Sequence, residues 1–319
     1  APDPSLRPIA QRPPDPPPHS RPSPSPGPLP SRFMLKTALR YCALALALFA
    51  MGPLAWMLVG TLRAEGGGPG ATPLLSLTPV PGLVRGFAAV VLCCAFGLLV
   101  RRFVTPRWAY FCTGLALAWA AYGTGSLVEV LRASPSERTL WMLAVEALVL
   151  GAPVVVFAWL VQPHSDAMPP PADRKLSYRD KQPVSVGTIA FVVALVAASL
   201  GAWLIAQNTL KGQTIAAAVV GGLLAALAGH LLVPPAPPWV YLAGVVAVAI
   251  GAPVVAGLIE QSGTDLLRAA YANRVFAPAR VLPLDWLAGG LIGVPLGWAW
   301  AASFVEKKPE PGAPAPAIT

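Results

Sequence analysis

The sequence predicts an all-α fold, a polytopic transmembrane helical bundle of about eight spans, and three observations carry that reading. Hydrophobic residues make up 55% of the 319 residues and charged residues only 12%, about half the charged share of a soluble domain. Mean hydropathy is +0.61. Apolar runs of about 20 residues, the length that crosses a bilayer, recur along the chain. This composition excludes a conventional soluble enzyme and a secreted disulfide scaffold. It also argues against nucleic acid as a partner, because the formal net charge of +9 reads as basic loops on one side of a membrane. The first partner expected is therefore the lipid bilayer.

Residues 1–33 hold thirteen prolines among Ser, Arg and Asp. Such a stretch buries no apolar surface and is expected to be a disordered tail with polyproline II bias. Met34 then opens Met-Leu-Lys-Thr-Ala-Leu-Arg before a long apolar run. That arrangement suggests a dispensable tail or an over-extended gene start.

The transmembrane domain is expected over 34–305, with spans near 38–62, 82–100, 106–131, 139–162, 184–206, 212–233, 238–259 and 283–305. Breakers punctuate the loops: Gly66-Gly67-Gly68-Pro69, Pro169-Pro170-Pro171 and Pro234-Pro235-Ala236-Pro237-Pro238. Trp108, Tyr110, Trp141, Trp239, Tyr241, Trp286, Trp298 and Trp300 sit near span ends as an aromatic belt. A cleaved signal peptide competes for the first span, but that run exceeds a signal h-region and Leu62-Arg63-Ala64 is a poor cleavage site. The loop 260–282 reads as an amphipathic surface helix, with Leu267, Tyr271 and Val275 on one stripe and Thr264 as its cap. Residues 306–319 are a second Pro/Ala-rich disordered tail.

With the N-terminus inside, inner segments hold fifteen Lys and Arg and outer segments eight, or eleven against eight without Arg7, Arg12, Arg21 and Arg32 of the tail. This favours cytoplasmic N- and C-termini in a bacterial cytoplasmic membrane. The sharpest signals are Arg101-Arg102 and the Arg174–Lys181 stretch.

Gly151-Ala152-Pro153-Val154-Val155 recurs as Gly251-Ala252-Pro253-Val254-Val255, and seven of eleven positions match between 145–155 and 245–255. Two tandem three-helix units, 82–162 and 184–261, would be inverted relative to each other, as in many carriers. Chance matching in Gly/Ala/Val-rich runs is the alternative. Pro53, Pro153, Pro253 and Pro295 fall mid-span and are expected to kink their helices. Gly289, Gly293 and Gly297 form successive GxxxG steps that favour close helix packing. Within the bundle that packing is intramolecular, and a homo-oligomer is the other outcome.

Ionisable groups inside spans are costly and point to function. Glu146 is the foremost candidate, with Arg132 or Arg138 as expected partners. Glu129 lies at the end of the preceding span, where the two carboxylates are placed to approach each other. They form either a proton or cation site or two interfacial acids paired with loop arginines. His230 is the single histidine in a span and has no second ligand in register, so it reads as a packing residue. Cys42, Cys93, Cys94 and Cys112 lie in apolar runs without metal or disulfide spacing. No cofactor, metal or catalytic constellation is indicated, and no stretch resembles a named family closely enough to lend its residues a role. The leading reading is a non-enzymatic accessory or assembly subunit with other membrane subunits as partners, and the alternative is a small-solute or ion transporter built on two inverted three-helix repeats.

Overall fold

Hydrocarbon offers no hydrogen bonds, so a long apolar run crosses it as a helix that satisfies its own backbone. The structure, a computed structural model, describes residues 31–64, 67–68, 70–162, 183–234, 236–259 and 263–304. Apart from helical backbone at 31–33 and 183, the tails and the inner loop 163–183 lie outside the described residues. In chain order the α-helices are α1 (Ser31–Leu46), α2 (Gly52–Val59), α3 (Pro79–Phe103), α4 (Pro106–Gly123), α5 (Leu127–Ala133) and α6 (Glu137–Val161). There follow α7 (Pro183–Ile205), α8 (Lys211–Leu232), α9 (Pro238–Ile259), α10 (Thr264–Tyr271) and α11 (Pro283–Phe304). Eight helical stretches are long and apolar enough to cross a membrane. The chain is an all-α, multi-pass membrane protein. Among the described residues the only β pairing is an isolated bridge between Ala64 and Ser76.

Eight crossings return the chain to the face it started from. That side is termed the termini face. The opposite loop face carries residues 60–78, α5, α10 and a 3₁₀ turn (Ala277–Arg280). At the centre stands α11, packed against α4, α6, α8 and α9. Its tightest neighbour is α8, and glycine is the cause. A Cβ at Gly289 would lie 2.3 Å from the Ala218 Cβ, one at Gly293 2.1 Å from the Val219 carbonyl oxygen, and one at Gly297 2.1 Å from the Leu223 carbonyl oxygen. The GxxxG face is thus occupied within the chain.

The expected first span divides. A five-residue π-helical turn, Ala47–Met51, joins α1 to α2, and the Gly52 amide reaches back five residues to the Ala47 carbonyl. Pro53 has no amide to give, so the hydrogen-bond ladder shifts register just before it. By contrast α6, α9 and α11 run unbroken through Pro153, Pro253 and Pro295.

The expected third span, 106–131, is not one helix. It stops at Gly123, turns through Thr124-Gly125-Ser126 and restarts as α5. A capping box drives the restart: the Ser126 amide donates to Glu129 Oε2 at 2.7 Å and the Glu129 amide to Ser126 Oγ at 3.4 Å.

The surface helix is shorter than its pattern suggests. It ends at Tyr271, and Asn273 takes a positive φ of 53°. Its cap position is Gly263 rather than Thr264, and it buries Leu266 and Ala270 while Tyr271 stays exposed. The two segments with the repeated Gly-Ala-Pro-Val-Val lie on α6 and α9, which pack together, and a Cβ on Gly151 would lie 2.6 Å from Val246 Cγ1.

Candidate functional site

Two pieces of non-helical backbone meet inside the loop-face half of the bundle. The first is the chain after Gly70, where Ala71, Thr72, Pro73 and Ser76 are buried. The second is the 124–126 break. A Cβ on Gly125 would lie 1.8 Å from the Gly70 carbonyl oxygen, so the two strands of chain touch backbone to backbone. Non-helical backbone at membrane depth persists only where protein buries it or water lines it.

Glu146 lies beneath this junction, nine residues after Glu137 opens α6, or about 14 Å along the helix. It is 1% exposed. The Leu74 amide donates to its Oε2 at 2.7 Å. The Thr72 hydroxyl lies beside the carboxyl and Lys211 is within electrostatic reach. Neither Glu146 Oε1 nor Thr72 Oγ1 completes a well-formed hydrogen bond.

The expected arginine partners are elsewhere. Arg132 donates from Nε and Nη2 to the Tyr271 hydroxyl at 2.9 and 2.5 Å. Arg138 is exposed. Glu129 is occupied by its capping box, so the two carboxylates do not share a site. Short polar side chains and backbone amides from 70–76, rather than long cations, reached the buried acid first.

A second buried group was not foreseen as a site. Lys211, the first residue of α8, pairs with Asp285, the third residue of α11, at 2.8 Å. Lys211 also donates to Thr124 Oγ1 at 2.8 Å and to the Gly125 carbonyl at 3.0 Å. The ammonium is thus engaged by one carboxylate, one hydroxyl and one carbonyl. Asp285 is 0% exposed and accepts from Thr214 Oγ1 at 2.8 Å. The pair therefore ties α8 and α11 to the 124–126 break. Each residue alone looks like an ordinary polar helix start, which is why the sequence did not single it out.

Above Lys211 opens a cleft of about 640 Å³ at the loop face, lined by Tyr122, Thr124, Ser126, Glu129, Arg132, Asn208, Lys211, Tyr271 and Asn273 among others. Arg132 and Tyr271 close one side of it. Nearby, Arg280 donates to the carbonyls of Val275 and Ala206 at 2.8 Å each and to that of Asn273, fixing the α10–α11 connection to the end of α7. Burial pulls its guanidinium below the ordinary arginine value.

No protein-family model, curated protein or solved structure matches this chain.

His230 lies at the termini-face end of α8, half-buried, with its Nδ1 unpartnered. It is far along α8 from the charged cluster at Lys211, and among the described residues no three His, Cys, Asp or Glu side chains gather.

Proposed function

We propose that this membrane protein is a non-enzymatic carrier of protons or a small cation, with Glu146 as the binding group. The observation that supports this most is the Glu146 carboxyl itself. It is buried at membrane depth, its Oε1 completes no well-formed hydrogen bond although the Thr72 hydroxyl lies beside the carboxyl, and among the described residues no ionic partner lies within 4.0 Å. A carboxylate there is costly unless a proton, a cation or water compensates it. The cleft above Lys211 supplies aqueous access from the loop face. The buried segment 70–76, which holds Oε2 through a single amide, is the element whose movement would open Glu146 to that cleft. The basic termini face is assigned to the cytoplasm.

A second reading, the accessory or assembly subunit, draws on the Lys211–Asp285 pair. Lys211 is held by Asp285, Thr124 and the Gly125 carbonyl, which suits an architectural tie.

Full-length protein in proteoliposomes separates the two. Under imposed proton, sodium and potassium gradients, Glu146→Gln is expected to cut flux at least tenfold while the protein stays monodisperse and thermally stable. Full flux in Glu146→Gln overturns the role of this residue. If the wild-type protein shows no flux under any of these gradients, the accessory reading takes its place, and crosslinking in native membranes should then recover a stable partner.

A further inference from the structure

The termini face has charge chemistry of its own. Every carboxylate among the described residues (Glu129, Glu137, Glu146, Asp265, Asp285) belongs to the loop-face half. The described part of the termini face offers Lys36, Arg40, Arg101, Arg102 and Arg107 with no carboxylate to neutralise them. On that face α4 and α11 leave a cavity of about 250 Å³ between them. Trp108, Phe111, Pro295, Leu296 and Ala299 line it, and the one charged residue on its wall is Arg107.

Arg107 is exposed, yet it is held in place. Its guanidinium lies 4.4 Å over the ring of Trp298, and Arg40 lies 6.0 Å over the ring of Trp108. Arg107 is also close enough to His230 to act on it electrostatically, and the His230 Nδ1 is buried without a hydrogen bond. Being the second residue of the 18-residue α4, Arg107 also places an anion against the positive end of a helix. The result is an apolar slot on the perimeter of the bundle, roofed at the membrane surface by a fixed cation. One ligand matches both parts: an anionic phospholipid, with an acyl chain in the slot and its phosphate at the guanidinium. Basic pockets between transmembrane helices take lipid headgroups in this way.

We propose that the α4–α11 groove is a site for an anionic phospholipid, with Arg107 holding the phosphate and Trp108, Phe111 and Leu296 holding the acyl chain. The site is remote from Glu146 and independent of any carrier role.

The full-length protein, purified in neutral detergent, is mixed with equal phosphatidylglycerol and phosphatidylcholine of identical chains. Retained lipid is read by native mass spectrometry. Phosphatidylglycerol should be retained at least tenfold over phosphatidylcholine. Arg107→Gln should bring the ratio near unity, whereas Arg102→Gln, exposed on the same face but outside the groove, should leave it unchanged. Ala299→Trp fills the slot from an exposed position, so folding survives, and it should cut phosphatidylglycerol retention by a similar factor. Equal retention of both lipids by the wild-type protein overturns the proposal. So does undiminished preference in Arg107→Gln or in Ala299→Trp.

Discussion

At the scale of single residues, burial and pairing decide which charges are architectural and which are free to act. Lys211 and Asp285 form a buried ion pair. Removing one partner of a buried pair leaves an uncompensated charge, costing about 3–5 kcal/mol, whereas replacing both with apolar groups is often neutral. Lys211→Met is therefore expected to lower thermal stability in detergent sharply. Lys211→Met with Asp285→Leu should recover most of the loss. If the double variant is as unstable as the single one, the pair is more than an architectural tie.

Glu146 shows how far a sequence carries a site. Its position in an apolar run was enough to mark it, since an acid about ten residues inside a span is costly in any packing. Its partner was not legible. Arg132 and Arg138 are close in sequence, but the segment 70–76 that reaches the carboxyl carries no periodic or charged pattern. Lys211 and Asp285 were hidden for a related reason. They lie far apart in sequence, as does Thr214, 71 residues before the Asp285 it donates to, and only the α8–α11 packing brings two plain helix starts together.

Elements were read best where hydropathy alone fixes them. Eight apolar runs gave eight crossings because membrane burial leaves a helix no alternative. The break after Gly123 was missed because residues on either side continue the apolar run. Its signals were nevertheless present: Thr124-Gly125 as breakers and Ser126-x-x-Glu129 as a capping box. The glycine stripe on α11 faces α8, a neighbour that the sequence did not name. That contact gives an element-scale prediction. A side chain on Gly293 runs into the Val219 carbonyl and the Leu223 amide, which are backbone and cannot rotate away. Gly293→Leu should separate α8 from α11 and lower stability by about 1–3 kcal/mol or more, seen as loss of the monodisperse species in detergent. Gly212→Ala, which meets nothing within 4 Å, should leave that species intact. Tolerance of Gly293→Leu would show that the α8–α11 contact is looser than its geometry.

For the whole molecule, the distribution of basic residues between the two faces is the ground for the proposed orientation. Four loop-face cations are engaged locally, Lys211 by Asp285, Arg268 by Asp265, Arg132 by Tyr271 and Arg280 by three carbonyls, while Arg63, Arg85, Arg138 and Arg274 are exposed. The described termini-face cations have no carboxylate beside them, although Arg101 donates to the carbonyls of Leu160 and Gln162. Short basic connections resist translocation, and on that ground we propose that the side that keeps them is cytoplasmic. The short turn from Phe103 to Pro106, with Arg101 and Arg102 before it and Arg107 after it, is the strongest such element. Reporter fusions after Arg102 and after Phe304 are expected to read as cytoplasmic, and fusions after Arg138 and Arg274 as external. The two pairs test different things. Arg102 and Arg138 are separated by α4 alone among the spanning helices, so finding them on one side would remove a crossing and break the eight-helix topology. Finding them on opposite sides but reversed would keep the topology and invert the molecule. The cleft above Lys211 would then open to the cytoplasm, and the groove beside Arg107 would meet the outer leaflet instead of the anionic inner one.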